Sequence, residues 1–291
     1  WSSSSIGTTG AQALQITSES ISASIIWPSS FGLSVRCLRN SDAVIILGCM
    51  DENYLEYNPD ATIDDGSCQT FDSSCMGQDY INYQGYDYAV VDIGGDCWFA
   101  ENLRSENYRN GTPIESNLTL SEWLNTSSGA MTIYGSFSGD CSNLSQGDFD
   151  ACDPNLSLEV YGRLYNYFAV IDPNGLCPSG WHVPTDNDWA YLEVALGMDW
   201  EEAFSDEPYR GTDQGLQMKS TTGFFDDFGY SYGNGWNSSG FNGLPGGSRD
   251  CSGFYHAGAI GKYWTSTPTE WNSGCSNPPI SGNSSWTRRL N

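Results

Sequence analysis

The chain has few basic groups. Its 11 Lys and Arg stand against 36 Asp and Glu, which gives a formal net charge of −25. Such a surface repels phosphate backbones and anionic membranes, so we exclude a function in nucleic-acid binding. Imidazoles are scarce as well, because His182 and His256 are the only histidines. The carboxylate excess has two readings: binding of divalent cations, or a merely solvated acidic surface.

Long apolar runs and paired zinc-type cysteine motifs are also missing. The sequence contains no run of about 18 apolar residues, so no membrane span is expected, and it opens with neither an initiator Met nor a signal peptide. The 10 cysteines have irregular spacing without a Cys-x-x-Cys pair, so they predict disulfides rather than zinc sites. We therefore expect an interior or processed piece of a secreted protein, extracellular or at the cell surface.

Aromatic residues and turn signals are abundant instead. Aromatics make up 14% of the chain and hydrophobic residues 38%, so we expect a core built mainly of rings. Residues 1–31 alternate like strands with one solvated face, and turn sequences such as DPNG and GLPGG are dense after Cys75. A helix is predicted over 185–197, with Thr185 as its cap, and a weaker one over 118–126. The predicted fold class is α+β, irregular and loop-rich, stabilised by disulfides, with few helices and many short antiparallel strands.

An acidic loop lies between Cys49 and Cys68. Its oxygen-bearing side chains match in type and number what calcium binds in a flexible loop. The candidate metal ligands are Asp51, Asn53, Asn58, Asp60, Asp64 and Asp65. The spacing is not that of an EF-hand, because Thr62 occupies the twelfth position from Asp51. Calcium is the expected cofactor, and the alternative is a metal-free linker of Asx turns.

A disulfide between Cys49 and Cys68 would stabilise this loop. Closing about 20 residues contributes roughly 3 kcal/mol, which suits a module too small to have a core. Residues 48–68 resemble a short repeat of secreted bacterial proteins that begins with Gly-Cys and ends with Asp-Asp-Gly-Ser-Cys. They depart from the repeat at Glu56, where an Asn is expected before Tyr57. The resemblance predicts a repeat unit and leaves metal binding open.

Several stretches across residues 75–291 resemble the Fibrobacter succinogenes major paralogous domain, in the order of that family. They are GYDYAVVDIGGDCWFAENLR (85–104), YGRLYNYFAV (161–170), GLCPSGWHVPTDNDWAYLE (175–193), SSGFNGLPGGSRDCSGFYHAGAIGKYWTST (238–267) and SWTRRL (285–290). Members are secreted or surface proteins, so the resemblance implies an extracellular module. The pattern VPT-x-x-x-W-x-x-L is also similar to C-type-lectin-like and formylglycine-generating-enzyme-like folds.

Residues 32–39, GLSVRCLR, resemble the strand that ends this family's domain. Residues 11–16 likewise match 285–290, so the resemblance implies that the chain begins inside one copy and ends inside the next. The predicted parts are 1–42 as the C-terminal strands of a preceding copy, 43–74 as an acidic, calcium-binding-like linker repeat, and 75–291 as the main domain without its own terminal SVRC-type strand.

The cysteines allow local pairs, although spacing alone leaves their connectivity open. These pairs are Cys49–Cys68, Cys75–Cys97, Cys141–Cys152 and Cys251–Cys275. Cys37 and Cys177 remain, and the resemblance makes them partners by type. Either the chain is a window on a longer tandem array, or subunits lend residues 17–40 to a neighbour with Cys37 bonded to Cys177 between chains. Because 1–16 duplicates a segment within 264–290, we favour the tandem array.

The sequence offers little for catalysis. His182 lies between Trp181 and Val183 and is predicted to be a packing residue, and no nucleophile elbow or phosphate loop is present. We expect a non-enzymatic structural or adhesive repeat module whose partners are neighbouring copies of itself. The alternative is a carbohydrate-binding, lectin-like module, in which rings stack on a sugar and amides bond its hydroxyls. Its candidate ligand-binding residues are Trp236, Asn237, Trp264 and Trp271.

Overall fold

The computed structural model describes part of the chain, and the structural statements below refer to that part. The described residues are 10–16, 21–28, 33–34, 36, 38–39, 75, 77–136, 150–205, 210–224, 233–269 and 284–290. Within these ranges the fold combines short helices with short strands in small sheets, most of them antiparallel pairs. The irregular α+β class predicted from the sequence is confirmed.

The strands run, in chain order, as β1 Gly10–Ile16, β2 Ile21–Pro28, β3 Leu33–Ser34, β4 Leu38–Arg39, β5 Tyr80–Tyr83, β6 Tyr86–Ile93, β7 Asp96–Phe99, β8 Met131–Thr132, β9 Leu164–Tyr165, β10 Gly246–Asp250, β11 Gly253–Ala257, β12 Gly261–Thr269 and β13 Ser284–Leu290. The helices are α1 Leu120–Asn125, α2 Pro154–Tyr161, α3 Tyr167–Val170, α4 Asp186–Ala195, α5 Trp200–Ala203 and α6 Gln214–Met218.

Both predicted helices are present, as α1 and α4. Thr185 caps α4 in a capping box with Asp188, as the sequence predicts, and Thr119 caps α1 in the same way with Glu122. Helices α2, α3, α5 and α6 were not predicted. These four lack the capping box that α1 and α4 have, and each spans eight residues or fewer, so neither a start signal of that kind nor a long helical period is present.

Strands β5, β6 and β7 form a meander through two-residue turns. The β6–β7 turn consists of Gly94 and Gly95, both with positive φ (69° and 88°), as a hairpin turn of this length requires. A Cβ on Gly94 would also lie 2.7 Å from the Cβ of Ala195 in α4, so only glycine fits. The β5–β6 turn at Gly85 is open, with nothing within 4 Å of such a Cβ.

Strand β7 sorts its side chains between two buried clusters. Cys97 and Phe99 face a cluster that contains Trp264, whereas Trp98 faces the other cluster, with Trp189. The alternation follows from the two-residue period of a strand. Trp98 and Trp189 have ring centroids 5.0 Å apart, and both side chains are fully buried. The ring-dominated core predicted from composition is confirmed in the described ranges.

The N-terminal strands join the sheets of the main domain. Strand β3 pairs antiparallel with β9, which places Leu33 opposite Tyr165, and β9 also pairs with β8. Strand β4 pairs antiparallel with β7, which places Leu38 opposite Trp98. Strands β1 and β2 form a further sheet with β12 and β13. Residues 33–39 therefore connect two sheets that are otherwise built from residues after Cys75.

Candidate functional site

The most elaborate polar site in the described chain surrounds Arg36, which lies between β3 and β4 and is fully buried. Its Nε donates to Asn102 Oδ1 at 2.7 Å, and its Nη1 donates to the carbonyl of Phe99 at 2.6 Å. Further bonds of 3.1 Å reach the carbonyls of Phe241 and Asn242. We call this site the Arg36 cleft: Phe99, Asn102, Phe241, Asn242 and Tyr263.

Aromatic faces complete the Arg36 cleft. The guanidinium carbon lies 4.7 Å from the ring centroid of Phe241 and 5.5 Å from that of Tyr263, within cation–π range. Burial lowers the pKa of Arg36, and the nearby Tyr263 and Glu101 act against that shift. The arginine nevertheless stays charged, because the guanidinium cannot be deprotonated in proteins. The cleft thus accepts a planar cation through carbonyl dipoles, an amide and ring faces.

Ser34 fits closely beside this cleft. Its side chain is buried, and the amide of Asn102 donates to its Oγ at 3.4 Å and to the carbonyl of Tyr161 at 2.9 Å. A Cβ on Gly246 would lie 3.1 Å from Ser34 Oγ, so any larger residue there would press on β3. Asn102 therefore ties residues 33–39 to α2 as well as to the cleft.

The described cysteines are all oxidised. Cys75 and Cys97 form a predicted local disulfide with an S–S distance of 2.01 Å. Cys152, Cys177 and Cys251 are also disulfide-bonded. The predicted partners Cys37, Cys141 and Cys275 lie outside the described ranges, as do Cys49 and Cys68. The pairing of Cys37 with Cys177 stays a prediction.

The predicted sugar-binding tryptophans occupy different environments. Trp264 is fully buried and its indole Nε1 donates to the carbonyl of Tyr165 at 2.7 Å, so its assignment to a ligand surface is wrong. Its ring packs in a buried cluster, 5.6 Å between ring centroids from Tyr167. Trp236 is 58% exposed, which leaves its ring accessible. Asn237 holds its own loop, since its Oδ1 accepts from the backbone amide of Asn242 at 2.7 Å, and Trp271 lies outside the described residues.

An open pocket that the sequence analysis missed lies at β6 and α2. Its volume is ≈ 290 Å³. It is lined by Tyr86, Arg104, Asn155, Leu158 and Glu159. The guanidinium of Arg104 lies 5.7 Å from the ring centroid of Tyr86 and donates to the carbonyl of Glu159 at 3.0 Å. An aromatic ring beside several hydrogen-bonding groups is a combination that can bind a polar small molecule.

A comparison with models of known protein families identifies the family of the chain. The model of the Fibrobacter succinogenes major domain matches residues 91–290, which is more than half of the chain. The chain belongs to this family. No curated protein and no solved structure matches it. The expected similarity to C-type-lectin-like and formylglycine-generating-enzyme-like folds therefore stays a prediction.

The range of the match separates the Arg36 cleft of the Fibrobacter succinogenes major domain from Arg36 itself. Phe99, Asn102, Phe241 and Tyr263 all lie inside the matched range, whereas Arg36 lies outside it. The domain thus provides the cleft, and a segment that precedes the match fills it. The SVRC motif was interpreted through Cys37, and Arg36 was not among the predicted functional residues. The sequence signal for a buried Arg36 was its place between apolar residues in a strand interpreted as buried. Its hydrogen-bond partners, however, lie 63 or more positions away in the sequence.

His182 of this Fibrobacter succinogenes major domain contacts the start of helix α4. His182 Nε2 lies 3.1 Å from Asp188 Oδ2, and the same oxygen accepts from the backbone amide and hydroxyl of Thr185. Burial would raise the pKa of Asp188, but the hydrogen bonds from His182 and Thr185 outweigh it, so the net shift is downward. His182 thus supports the cap of α4, in line with the predicted packing role.

The predictions of a calcium site and of no membrane span are compared here with the described residues. The six candidate calcium ligands of the acidic loop lie outside the described residues. In the ranges that are described, no cluster of three or more His, Cys, Asp or Glu side chains is arranged to hold a metal ion. Nor does any helix in those ranges combine the length and apolar character needed to cross a bilayer.

Proposed function

We propose that this protein is a non-enzymatic structural or adhesive module of a bacterial cell surface or extracellular filament, assembled through tandem or strand-complemented domains. The observation that carries the proposal is the Arg36 cleft, where the family domain is closed by a segment outside its matched range. A domain completed by a segment from beyond its own boundary is suited to joining copies in series.

Oxidised cysteines support an extracellular location. Every cysteine in the described part of the chain is in a disulfide, and disulfides persist in oxidising compartments. The Cys75–Cys97 bridge closes a loop of 22 residues, which contributes about 3 kcal/mol of stability. We expect secretion to the cell surface or beyond it, which cell fractionation with an antibody against the folded domain would test.

Self-assembly is the direct test of the structural role. We expect the oxidised full chain to form ordered oligomers or filaments without any added ligand, seen by analytical ultracentrifugation and negative-stain electron microscopy. Assembly should depend on protein concentration, because each added copy must meet another. A chain that stays monomeric at every accessible concentration would contradict the proposal.

Carbohydrate binding is the second candidate, favoured by the exposed ring of Trp236 and by the pocket at Tyr86 and Arg104. A glycan array tests it, and saturable binding should fall at least tenfold in Trp236→Ala or Tyr86→Ala. The matched control is Trp200→Ala, because Trp200 is 54% exposed and lies elsewhere, stacked on Phe204 at 4.5 Å. Equal loss in all three variants would speak against a specific sugar site.

Calcium binding by the loop between Cys49 and Cys68 is part of the proposal. Its support is the sequence pattern of oxygen ligands, which suits a hard cation. Saturating calcium at 100 times the dissociation constant would stabilise the folded loop by about 2.7 kcal/mol. We expect isothermal titration to show calcium binding that Asp64→Asn with Asp65→Asn weakens at least tenfold. No heat with millimolar calcium would contradict it.

A further inference from the structure

Strands β1 and β13 pair with the same residues of β12. Trp264 pairs with Ala13 of β1 and with Thr287 of β13, and the neighbouring residues of both strands follow in step along Tyr263 and Lys262. The two strands also pair with each other, in parallel and without a register shift, from Gly10 opposite Ser284 to Ile16 opposite Leu290. Strands β1 and β13 thus occupy the same position beside β12.

Full and simultaneous pairing of the three strands is physically excluded. Three strands paired mutually at the same residues would form a closed ring with neighbours about 4.8 Å apart. Such a ring has no room for inward side chains, since barrels with a side-chain-filled interior have about five to eight strands or more. The pairings of β1 and β13 along β12 are therefore alternatives, and one strand replaces the other.

The connection between the N-terminal segment and the domain is long enough to reach a second copy. The hydrogen-bond partners of Arg36 lie 63 to 206 positions away in the sequence. Residues 40–74 separate β4 from Cys75, and a stretch of this length spans on the order of 100 Å when extended. The contacts of residues 10–39 can therefore be made to the chain's own domain or, at sufficient protein concentration, to a second copy of it.

We propose that residues 10–39 are exchanged between copies of this chain. The segment of one copy fills the Arg36 cleft of a second copy, and its β1 pairs with β12 of that copy. In a copy that has received no segment, β13 pairs with β12 instead. The inference rests on the proposed structural function and names the partner for it. Because the donated segment and the accepting cleft are different surfaces, the contact is head-to-tail and can continue from copy to copy into a filament.

A complementation experiment with two full-length variants tests the exchange. Arg36→Ala removes the anchor of the donated segment and keeps the cleft. Gly246→Val keeps the segment and crowds the place of Ser34 beside the cleft, because its Cβ would lie 3.1 Å from Ser34 Oγ and 3.6 Å from Asn102 Nδ2. Each variant alone should be monomeric in analytical ultracentrifugation, and a 1:1 mixture should form a heterodimer that grows no further.

Arg109→Ala is the matched control for the loss of an arginine. Arg109 also donates to backbone carbonyls, those of Cys177 and Trp181, but it lies in the main domain. This variant should assemble like the wild-type chain. A mixture of Arg36→Ala and Gly246→Val that contains only monomers, with both variants folded by near-ultraviolet circular dichroism, would overturn the exchange.

A second measurement applies if Gly246→Val fails to fold. Isotopically heavy and light wild-type chains are refolded together under oxidising conditions, and the disulfide-linked peptides that contain Cys177 are analysed by mass spectrometry. About half of these peptides should join a heavy to a light chain, whereas exclusively unmixed peptides would overturn the exchange.

The outcomes also separate the exchange from the proposed function. Wild-type assembly that persists equally in the Arg36→Ala chain would overturn the exchange and leave the structural role intact. Heterodimer formation in the mixture together with a monomeric wild-type chain would support the exchange and remove the filament.

Discussion

Two of the buried arginines, Arg36 and Arg210, are accommodated in opposite ways. Arg210 forms an ion pair with Glu193 at 2.7 Å, and both side chains are at most 1% exposed. Arg36 is equally buried, but its hydrogen bonds go to an amide and to backbone carbonyls, beneath the rings of Phe241 and Tyr263. One cation meets a carboxylate of its own domain, whereas the other meets neutral oxygens and ring faces.

This difference in partners determines which of the two arginines can leave its site at low cost. Removing Arg210 from its place would leave the carboxylate of Glu193 buried without its counter-charge, which is costly. When Arg36 leaves its cleft, the charge goes with it into water, and the carbonyls that remain behind are neutral. The Glu193–Arg210 region is therefore a permanent part of the folded domain, and the segment with Arg36 is built to be released and bound again.

The largest expected effect comes from breaking the permanent ion pair. Glu193→Leu should lower the free energy of unfolding by about 3–5 kcal/mol, because it leaves a buried guanidinium without its carboxylate. Urea denaturation of the oxidised chain measures the change. The double variant Glu193→Leu with Arg210→Met should recover most of it, since no buried charge remains, and a double variant as unstable as the single one would contradict this account.

The next effect concerns the releasable region. Arg36→Lys keeps the charge but loses the planar fork, so it cannot reach Asn102 and the carbonyls of Phe99 and Asn242 together. We expect a loss of about 2 kcal/mol in docking of residues 33–39, from charged hydrogen bonds worth about 1.5–3 kcal/mol each.

Hydrogen exchange measures this loss. The amides of β9, which pair with β3, should exchange roughly 30-fold faster in Arg36→Lys, as 1.4 kcal/mol corresponds to a factor of ten. The urea midpoint of the remaining domain should stay the same. An equal loss of protection in α4 would show that the segment unfolds only together with the domain and is not released separately.

A buried lysine behaves differently from both arginines because, unlike arginine, lysine can lose its proton. Lys219 lies 4.1 Å from the ring centroid of Phe224 and donates to the carbonyl of Gly233. Burial lowers its pKa to about 7, from an ordinary value of 10.5. Between these values the unfolded chain binds more protons than the folded one, so stability rises with pH.

The expected gain is about 1 kcal/mol per pH unit between about pH 7.5 and 8.5, and Lys219→Met should abolish this slope in urea titrations. Above about pH 9 the slope is masked by buried tyrosines, which begin to lose their protons in the unfolded chain. Burial raises the pKa of Tyr88, for example, to about 12. The matched control is Lys262→Met, which removes the other lysine, hydrogen-bonded to Ser248. An identical slope in Lys219→Met and the wild-type chain would contradict the assignment.

The smallest effect is expected where the same ion-pair chemistry lies at the surface. Arg104 and Glu101 are 2.6 Å apart, but their side chains are 16% and 29% exposed. Solvent screens such a pair, so Glu101→Gln should cost only about 0.2–1 kcal/mol in urea denaturation. A loss as large as that of Glu193→Leu would mean that burial is not what separates the two arginine regions.

The sequence predicted the features that depend on near neighbours. The capping box of Thr185 and Asp188 and the Cys75–Cys97 disulfide are set by short spacings, and the ring-rich core follows from composition. Helices α2, α3, α5 and α6 escaped prediction because they are short and lack the capping box that α1 and α4 have. The domain boundaries predicted at 42 and 74 lie outside the described residues and stay predictions.

Features that depend on distant partners were not predictable. Trp264 sits in a loop-rich, polar sequence that resembles a sugar site, yet β12 carries it to the carbonyl of Tyr165, 99 positions away. Arg36 reads as an ordinary charged residue of a short strand, and only the folded domain brings two ring faces and four oxygen acceptors around it. Residue type revealed neither environment.

The two turns of the β5–β7 meander differ in the room that they leave for added chain. The turn at Gly85 opens to solvent, whereas the turn at Gly94 presses against Ala195 of α4. An epitope tag or a fluorescent-protein fusion inserted at Gly85 would leave helix packing intact, while the same insertion at Gly94 would push α4 away from the sheet. The meander thus offers one site for labelling this protein within an assembly.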